Sequence, residues 1–196
     1  MSANLSPKSR AVKYNAKIIS INPNLNDNDA TDFKQLKILN DSTLQHIPDT
    51  TKEREIIYIT GPSGSGKSTY TRKFLEEYKK KYKDRPIYMF SSLKEDPSLD
   101  SIKPKRFKID ETLWKDPIEA EELKDSVVIF DDIDVISDRK IKEAVYNILN
   151  KVLEIGRHFN ITCIITNHLP TNGRDTRRIL NEAHCYVYFP TAQEVR

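Results

Sequence analysis

Two cysteines, two methionines, one tryptophan and five glycines are all that this chain of 196 residues contains of those types. Cys163 and Cys185 lie far apart in apolar, strand-like runs. They form no metal-ligand spacing, which argues against a zinc module and for reduced core thiols in an intracellular protein. No apolar run approaches the roughly 20 residues that a membrane helix requires, so no membrane partner is expected. The N-terminal stretch MSANLSPKSR lacks the apolar core of a signal peptide. Charge of one sign is not in excess either. The 32 Lys and Arg against 29 Asp and Glu leave +3, too little to indicate nucleic-acid binding by itself. With 37% hydrophobic and 31% charged residues, the composition is that of a soluble globular chain. It is long enough to bury a substantial core as one domain with a small appendage.

Glycine is not merely scarce but clustered: three of the five are Gly61, Gly64 and Gly66. The run Gly61, Pro62, Ser63, Gly64, Ser65, Gly66, Lys67, Ser68, Thr69 fits the phosphate-loop pattern G-x-x-x-x-G-K-[ST] without mismatch. The preceding EIIYIT, Glu55–Thr60, reads as a buried strand. The glycines let the backbone turn tightly and aim N–H groups inward as an anion-binding nest. A helix beginning near Lys67 adds its N-terminal dipole beneath the phosphates. In this pattern Lys67 reaches the β- and γ-phosphates of ATP, Ser68 ligates Mg²⁺, and Thr69 sits near the α-phosphate.

Residues 1–50 read as an N-terminal arm and appendage, partly flexible, and 51–196 as the P-loop ATPase domain. Within the appendage, 1–15 is arm-like and Lys17–Ile21 a strand. Asn22–Asp32 is a polar loop, and Phe33–Leu39 is either a short strand or a helical turn. After the phosphate loop, Tyr70, Phe74, Leu75, Tyr78 and Tyr82 recur at helical spacing, and Lys79–Arg85 makes a basic helix end. Pro86–Phe90 is the next strand, SSLKEDPSLD a loop, Arg106–Ile109 a short strand and Ile118–Leu123 helical.

A second chemical signal is VVIFDDIDV, Val127–Val135. Its apolar half is a central parallel strand, and its acids stand at the C-terminal end, where ligands of open α/β sheets bind. Asp131 suits the metal shell and Asp132 the polarisation of attacking water, while Asp134 is a candidate cap for the following helix. That helix, Ile141–Ile155, is amphipathic and ends at Gly156. Ile161–Thr166 is the next strand and runs into Asn167 and His168, either of which offers a polar sensor for the γ-phosphate. Thr176–Ala183 is a short helix and Cys185–Phe189 the last strand. The whole predicts an α/β fold: a mostly parallel central sheet flanked by helices, with the small N-terminal appendage.

From about residue 55 to 190, the set GPSGSGKS, FSSLKEDPSLD, VVIFDDID, GRHFNITCIITNH and TNGRDTRRILNEAH resembles the genome-packaging ATPases of large DNA viruses. These are the poxvirus- and giant-virus-type members of the FtsK–HerA superfamily. The resemblance implies Mg-ATP hydrolysis, assembly into a homo-oligomeric ring and translocation of double-stranded DNA into a capsid. It also implies capsid or nuclease components as partners, and a location in the viral factory of the host cytoplasm or in the virion. Lys67 and Ser68 match the Walker A pair and Asp131 the Walker B metal acid. Asp132 stands where cellular members carry glutamate. Asn167 or His168 falls at the polar sensor, and Arg157 where such translocases carry a trans-acting arginine. An ion pair with Glu154 is the alternative role for Arg157. DNA contacts are expected to be electrostatic, through Arg174, Arg177 and Arg178, with Lys79–Lys83 a weaker candidate.

Three function classes compete. The DNA motor is favoured by the motif set. A nucleoside or nucleotide kinase would need a second-substrate lid, which the sequence does not show. A nucleotide-gated assembly protein of low turnover would explain aspartate at 132.

Overall fold

Alternation of side chains along short β-branched runs decides where everything else in this chain goes. A computed structural model describes residues 11–14, 17–20 and 54–190. The chain divides into two units, Met1–His46 and Ile47–Arg196. In the first, Ala11–Tyr14 (β1) pairs antiparallel with Lys17–Ser20 (β2), Val12 standing opposite Ile19. The strand expected from Lys17 is present, while β1 occupies residues expected to be arm. The readings for Asn22–Asp32 and Phe33–Leu39 lie outside the described residues.

Among the described residues, the second unit carries six parallel strands. They are Ile56–Thr60 (β3), Ile87–Ser91 (β4), Lys105–Phe107 (β5), Val127–Asp131 (β6), Thr162–Asn167 (β7) and Cys185–Tyr188 (β8). Their order across the sheet is β5-β4-β6-β7-β3-β8. This is the expected α/β fold with a parallel sheet flanked by helices. The acid-tipped strand β6 sits between β4 and β7, and the phosphate-loop strand β3 lies on the other side of β7.

Period-two alternation divides the core. Ile57, Ile59, Met89, Val127, Ile129 and Ile164 face Lys67–Lys81 (α1) through Phe74, Leu75 and Tyr78. Ile56, Tyr58, Phe90, Val128, Phe130 and Ile165 face Arg139–Ile155 (α4) on the opposite side. Both faces are therefore covered, which is why β3, β6 and β7 read as continuous apolar runs. The stripe Val145, Ile148, Leu149, Val152 and Leu153 holds α4 down, each side chain contributing about 1.5–3 kcal/mol of burial. Lys79, Lys80 and Lys81 close α1 and complement its dipole.

Four local expectations change. The polar run read as a loop contains a helical turn, Pro97–Asp100 (α2). Asp96 accepts hydrogen bonds from the N–H groups of Ser98 and Leu99, and Pro97 pre-sets the first position. A further turn, Thr112–Lys115 (α3), was not anticipated. Strand β5 begins at Lys105 and ends at Phe107, because only these residues pair with β4. The cap of α4 is Asp138, which accepts from the Ile141 N–H at 2.9 Å, and not Asp134.

The other end of α4 is held from a distance. Gly156 is the C-cap, in right-handed conformation at φ −58°. Arg54 donates to Val152 O at 3.0 Å, Leu153 O at 3.4 Å and Ile161 O at 2.8 Å. It thereby adds a donor for Leu153 O, one of the last carbonyls that a helix leaves without an intrahelical partner, and a second donor for Val152 O, which also accepts the Gly156 N–H.

Candidate functional site

The phosphate loop is shaped by what glycine omits. At Gly61 an added Cβ would lie 2.6 Å from Phe189 Cβ, so no side chain fits beneath the loop. Gly66 takes φ 106° as it opens α1, a conformation that L side chains avoid. The loop is tied to the sheet by the Gly61 N–H, which donates to Asn167 O at 3.2 Å. Lys67, buried at the first turn of α1, donates to Gly61 O at 3.0 Å and lies 3.5 Å from Asp132 Oδ1.

Three adjacent strands end in one polar row. Register places Ser91 beside Asp131 and Asp131 beside Thr166. All three continue the alternation that carries Met89, Ile129 and Ile164 toward α1. Ser91 Oγ donates to Asp131 Oδ2 at 3.0 Å, and Thr166 Oγ1 donates to Asp131 Oδ1 at 2.9 Å. Asp131 is only 3% exposed. Burial, with the neighbouring Asp132 charge, raises its carboxyl above the ordinary value despite those two hydroxyls. Such a buried, destabilised carboxylate beside a second one is a place for cationic charge. Its hard oxygen donors suit Mg²⁺, which Asp131 and the Ser68 hydroxyl would hold.

Asp132 leaves the strand in left-handed conformation, φ 46°, and starts a 3-10 turn over Ile133–Val135. Its N–H donates to Thr166 O at 3.1 Å and to Thr166 Oγ1 at 2.9 Å, which fixes this turn against β7. The turn brings Asp134 back toward the strand ends, where it accepts the His168 N–H at 3.0 Å. His168 then stands between two carboxylates. Its Nε2 is 3.6 Å from Asp132 Oδ2 and its Nδ1 is 3.6 Å from Asp134 Oδ1.

The two sensor candidates separate by one residue of alternation. The Asn167 side chain turns to the α4 face and is fully buried, its amide donating to Tyr58 OH at 3.1 Å. His168 is partly exposed beside Asp132. Asp131, Asp132, Lys67 and His168 are thus brought together, whereas the Asn167 side chain is directed elsewhere. Ser91 and Thr166 belong to the same row, and sequence reading missed both.

The remaining candidates lie apart from this row. Arg157 is exposed on the turn before β7, at the opposite end of that strand from Asn167. It does not pair with Glu154, which is taken by Arg178 at 2.5 Å. Arg174, Arg177 and Arg178 are exposed on Arg174–Glu182 (α5). The alternative of an Arg157–Glu154 pair therefore gives way to a pair across α4 and α5.

Residues 57–181, from the phosphate-loop strand through α5, match the ATPase family associated with various cellular activities (AAA). The chain belongs to that family. This AAA ATPase is 45% identical over 140 residues to protein V3 of Sputnik virophage, a match covering 70% of the chain and 56% of V3. Among solved structures it is similar to the cytoplasmic domain of EssC, at TM-score 0.51 and 18% identity, over 71% of the chain and 34% of that protein. It is also similar to the pCW3 conjugation coupling protein TcpA in monomer form with ATPγS, at TM-score 0.52 and 13% identity. That match covers 92% of the chain and 54% of TcpA. The chain therefore spans about half or less of these relatives, and the two structures share its fold. Family membership supports nucleotide binding and hydrolysis. Among the described residues, no helix is long and apolar enough to cross a membrane.

Proposed function

We propose that this AAA ATPase is a Mg²⁺-dependent motor of the FtsK–HerA type that moves double-stranded DNA during viral genome packaging, working as a homo-oligomeric ring. The observation that carries the hydrolytic part is the convergence of Lys67, at the start of α1, with Asp131 and Asp132 at the end of β6, Asp132 lying 3.5 Å from the lysine. In this reading Lys67 stabilises charge on the transferring phosphoryl group. Asp131 and Ser68 hold Mg²⁺, Asp132 polarises the attacking water, and the loop from Gly61 to Thr69 cradles the phosphates. The DNA-moving part rests on the resemblance of the motif set to packaging ATPases, and the viral setting on a virophage relative at 45% identity. Capsid or nuclease components complete the assembly, in the viral factory or the virion.

The test is the ATPase rate with and without double-stranded DNA across protein concentration. A ring motor is stimulated by DNA and shows a steep dependence on concentration. Turnover that requires a small phosphoryl acceptor would replace this reading with a kinase. Tight ATP binding with negligible turnover, with or without DNA, would replace it with a nucleotide-gated assembly protein.

A further inference from the structure

Asp134 has a carboxylate that is 93% buried by solvent exposure of its side chain, 7%, and one oxygen whose hydrogen-bonding capacity is unfilled. Burying a charge in this way is costly unless something nearby uses it. Helix capping does not use it, since Asp138 caps α4. One oxygen accepts the His168 N–H, and the other, Oδ1, faces His168 Nδ1, itself buried and without a hydrogen-bond partner. The far side of the same ring presents Nε2 to Asp132 Oδ2. Asp132 Oδ1 meanwhile lies 3.5 Å from Lys67 Nζ and 3.3 Å from Thr166 Oγ1, whose one proton goes to Asp131 at the shorter distance. Each oxygen of Asp132 thus faces a separate nitrogen group.

We propose that His168 is a positioning residue for the water-activating carboxylate: Asp134 fixes the imidazole, and the imidazole fixes Asp132. The inference rests on the reading of Asp132 as the group that polarises water. Ligand atoms of Asp132, Asp134 and His168 fall within 4.8 Å of one another, the spacing of a metal site. The two ring nitrogens, however, face different carboxylates, and one ion takes one nitrogen from a given imidazole. The layout is a relay through the ring, with Asp134 as its anchor. It also answers the shortness of Asp132: a histidine behind an aspartate restricts a carboxylate that a longer glutamate would place by its own reach. General acid–base groups act only when held within hydrogen-bond reach of the proton they move. Loss of the holder therefore lowers kcat and leaves nucleotide binding alone.

Four single variants and one double variant test this in the full-length protein, with kcat, KM and ATP affinity measured for each. Asparagine at 168 places an amide near the Nδ1 position, and glutamine extends one to the Nε2 position. His168→Gln is expected to stay within about threefold of wild-type kcat, while His168→Asn falls by about tenfold or more at unchanged KM. Asp134→Asn keeps an acceptor for the His168 N–H but removes the anchoring charge, and falls in the same direction. Asp132→Asn loses most of its kcat, and adding His168→Asn to it costs nothing further, because groups acting as a unit are non-additive. A purely structural histidine would lower both backgrounds alike, and that result overturns the proposal. Wild-type kcat in His168→Asn with Asp132→Asn inactive also overturns it, leaving the role of Asp132 intact. Wild-type kcat in Asp132→Asn instead removes the reading on which the proposal rests. Thermal melts of each variant separate these results from misfolding.

Discussion

The Asn167 amide donates to the hydroxyl of Tyr58 at 3.1 Å, although register pairs Asn167 with Thr60. Both side chains turn to the α4 face, and burial pushes the Tyr58 hydroxyl up to about 12, keeping it protonated. That hydroxyl also donates to Leu169 O at 3.1 Å, with Pro170 O close by at 3.3 Å, binding the loop after β7 to the sheet. In Tyr58→Phe the Asn167 amide is left buried without its acceptor, a loss of about 1–2 kcal/mol. The expected fall in Tm is roughly 2–8 °C. An unchanged Tm in calorimetry would show that Asn167 finds another partner, bringing it back as a sensor.

Asp131 carries a cost in stability. Its carboxyl is raised by burial first and by Asp132 second. Such a group stabilises the fold fully below the ordinary carboxylate value, and loses that contribution as pH rises through its raised one. Asp131→Asn removes the charge, and Ser91 and Thr166 can still bond an amide. Urea titrations from pH 4 to pH 8 should find the variant more stable than wild type, by a margin that grows with pH. Its Mg²⁺-dependent ATPase activity should be lost. A margin that shrinks with rising pH would contradict the assignment of burial as the cause.

Legibility in the sequence followed the range of the interaction. The phosphate loop is read directly because its conformation is local: three glycines, a lysine and the helix start lie within a few residues. Asp131 and Asp132 are legible because a parallel strand ending in acids is itself a local pattern. Ser91 and Thr166 look like ordinary hydroxyls until three strands from separate parts of the chain align and alternation turns them toward Asp131. The same alternation, one residue on, sends Asn167 to the other face. At α2 the signal was present, an aspartate before proline, but the charged run around it outweighed a single turn of helix.

Arg54 is the extreme case of such long-range action, since its targets Val152, Leu153 and Ile161 lie about a hundred residues away. Burial lowers its guanidinium from the ordinary arginine value, and Cys163 and Glu182 act in the opposite direction. Arg54→Ala takes the guanidinium donor from Leu153 O and Ile161 O at the end of α4, while Val152 O keeps the Gly156 N–H. The expected loss is about 1–3 kcal/mol, read as a fall in Tm of roughly 2–10 °C. Arg54→Lys should recover little, because one ammonium cannot span carbonyls on two elements as a planar fork does. Full recovery with lysine would reduce the role to charge near the helix terminus.

The cysteines differ in reactivity for a reason visible in the sheet. Cys163, in the central strand β7, is fully buried, and burial pushes its thiol up to about 12. The thiolate is the reactive form, so Cys163 should resist alkylation in the native protein. Cys185, on the edge strand β8, is only partly buried. Iodoacetamide followed by peptide mapping should find Cys185 modified first, and Cys163 only after denaturation. Equal labelling of both under native conditions would mean that β7 opens locally on the timescale of the reaction.

Arg157 carries the prediction that bears on assembly. It is exposed at the start of β7, whereas Lys67 and Asp132 gather at the far end of the strands. Glu154, the neighbour that would otherwise occupy it, is engaged by Arg178. An arginine so placed cannot serve the phosphate loop of its own subunit, but a ring sets each subunit against the next. There its planar, permanently charged guanidinium can stabilise charge on the γ-phosphate, a role worth roughly 10³–10⁵ in rate in other NTPases. Lys67→Ala should lose on the order of 10²-fold or more in turnover by removing charge stabilisation at its own site. Arg157→Ala should be similarly inactive. Mixing the two inactive proteins then creates some interfaces that join an intact loop to an intact arginine, and ATPase activity should partly return. Absence of recovery in mixtures shown to co-assemble would move the finger to another exposed arginine, with Arg177 on α5 the next to substitute.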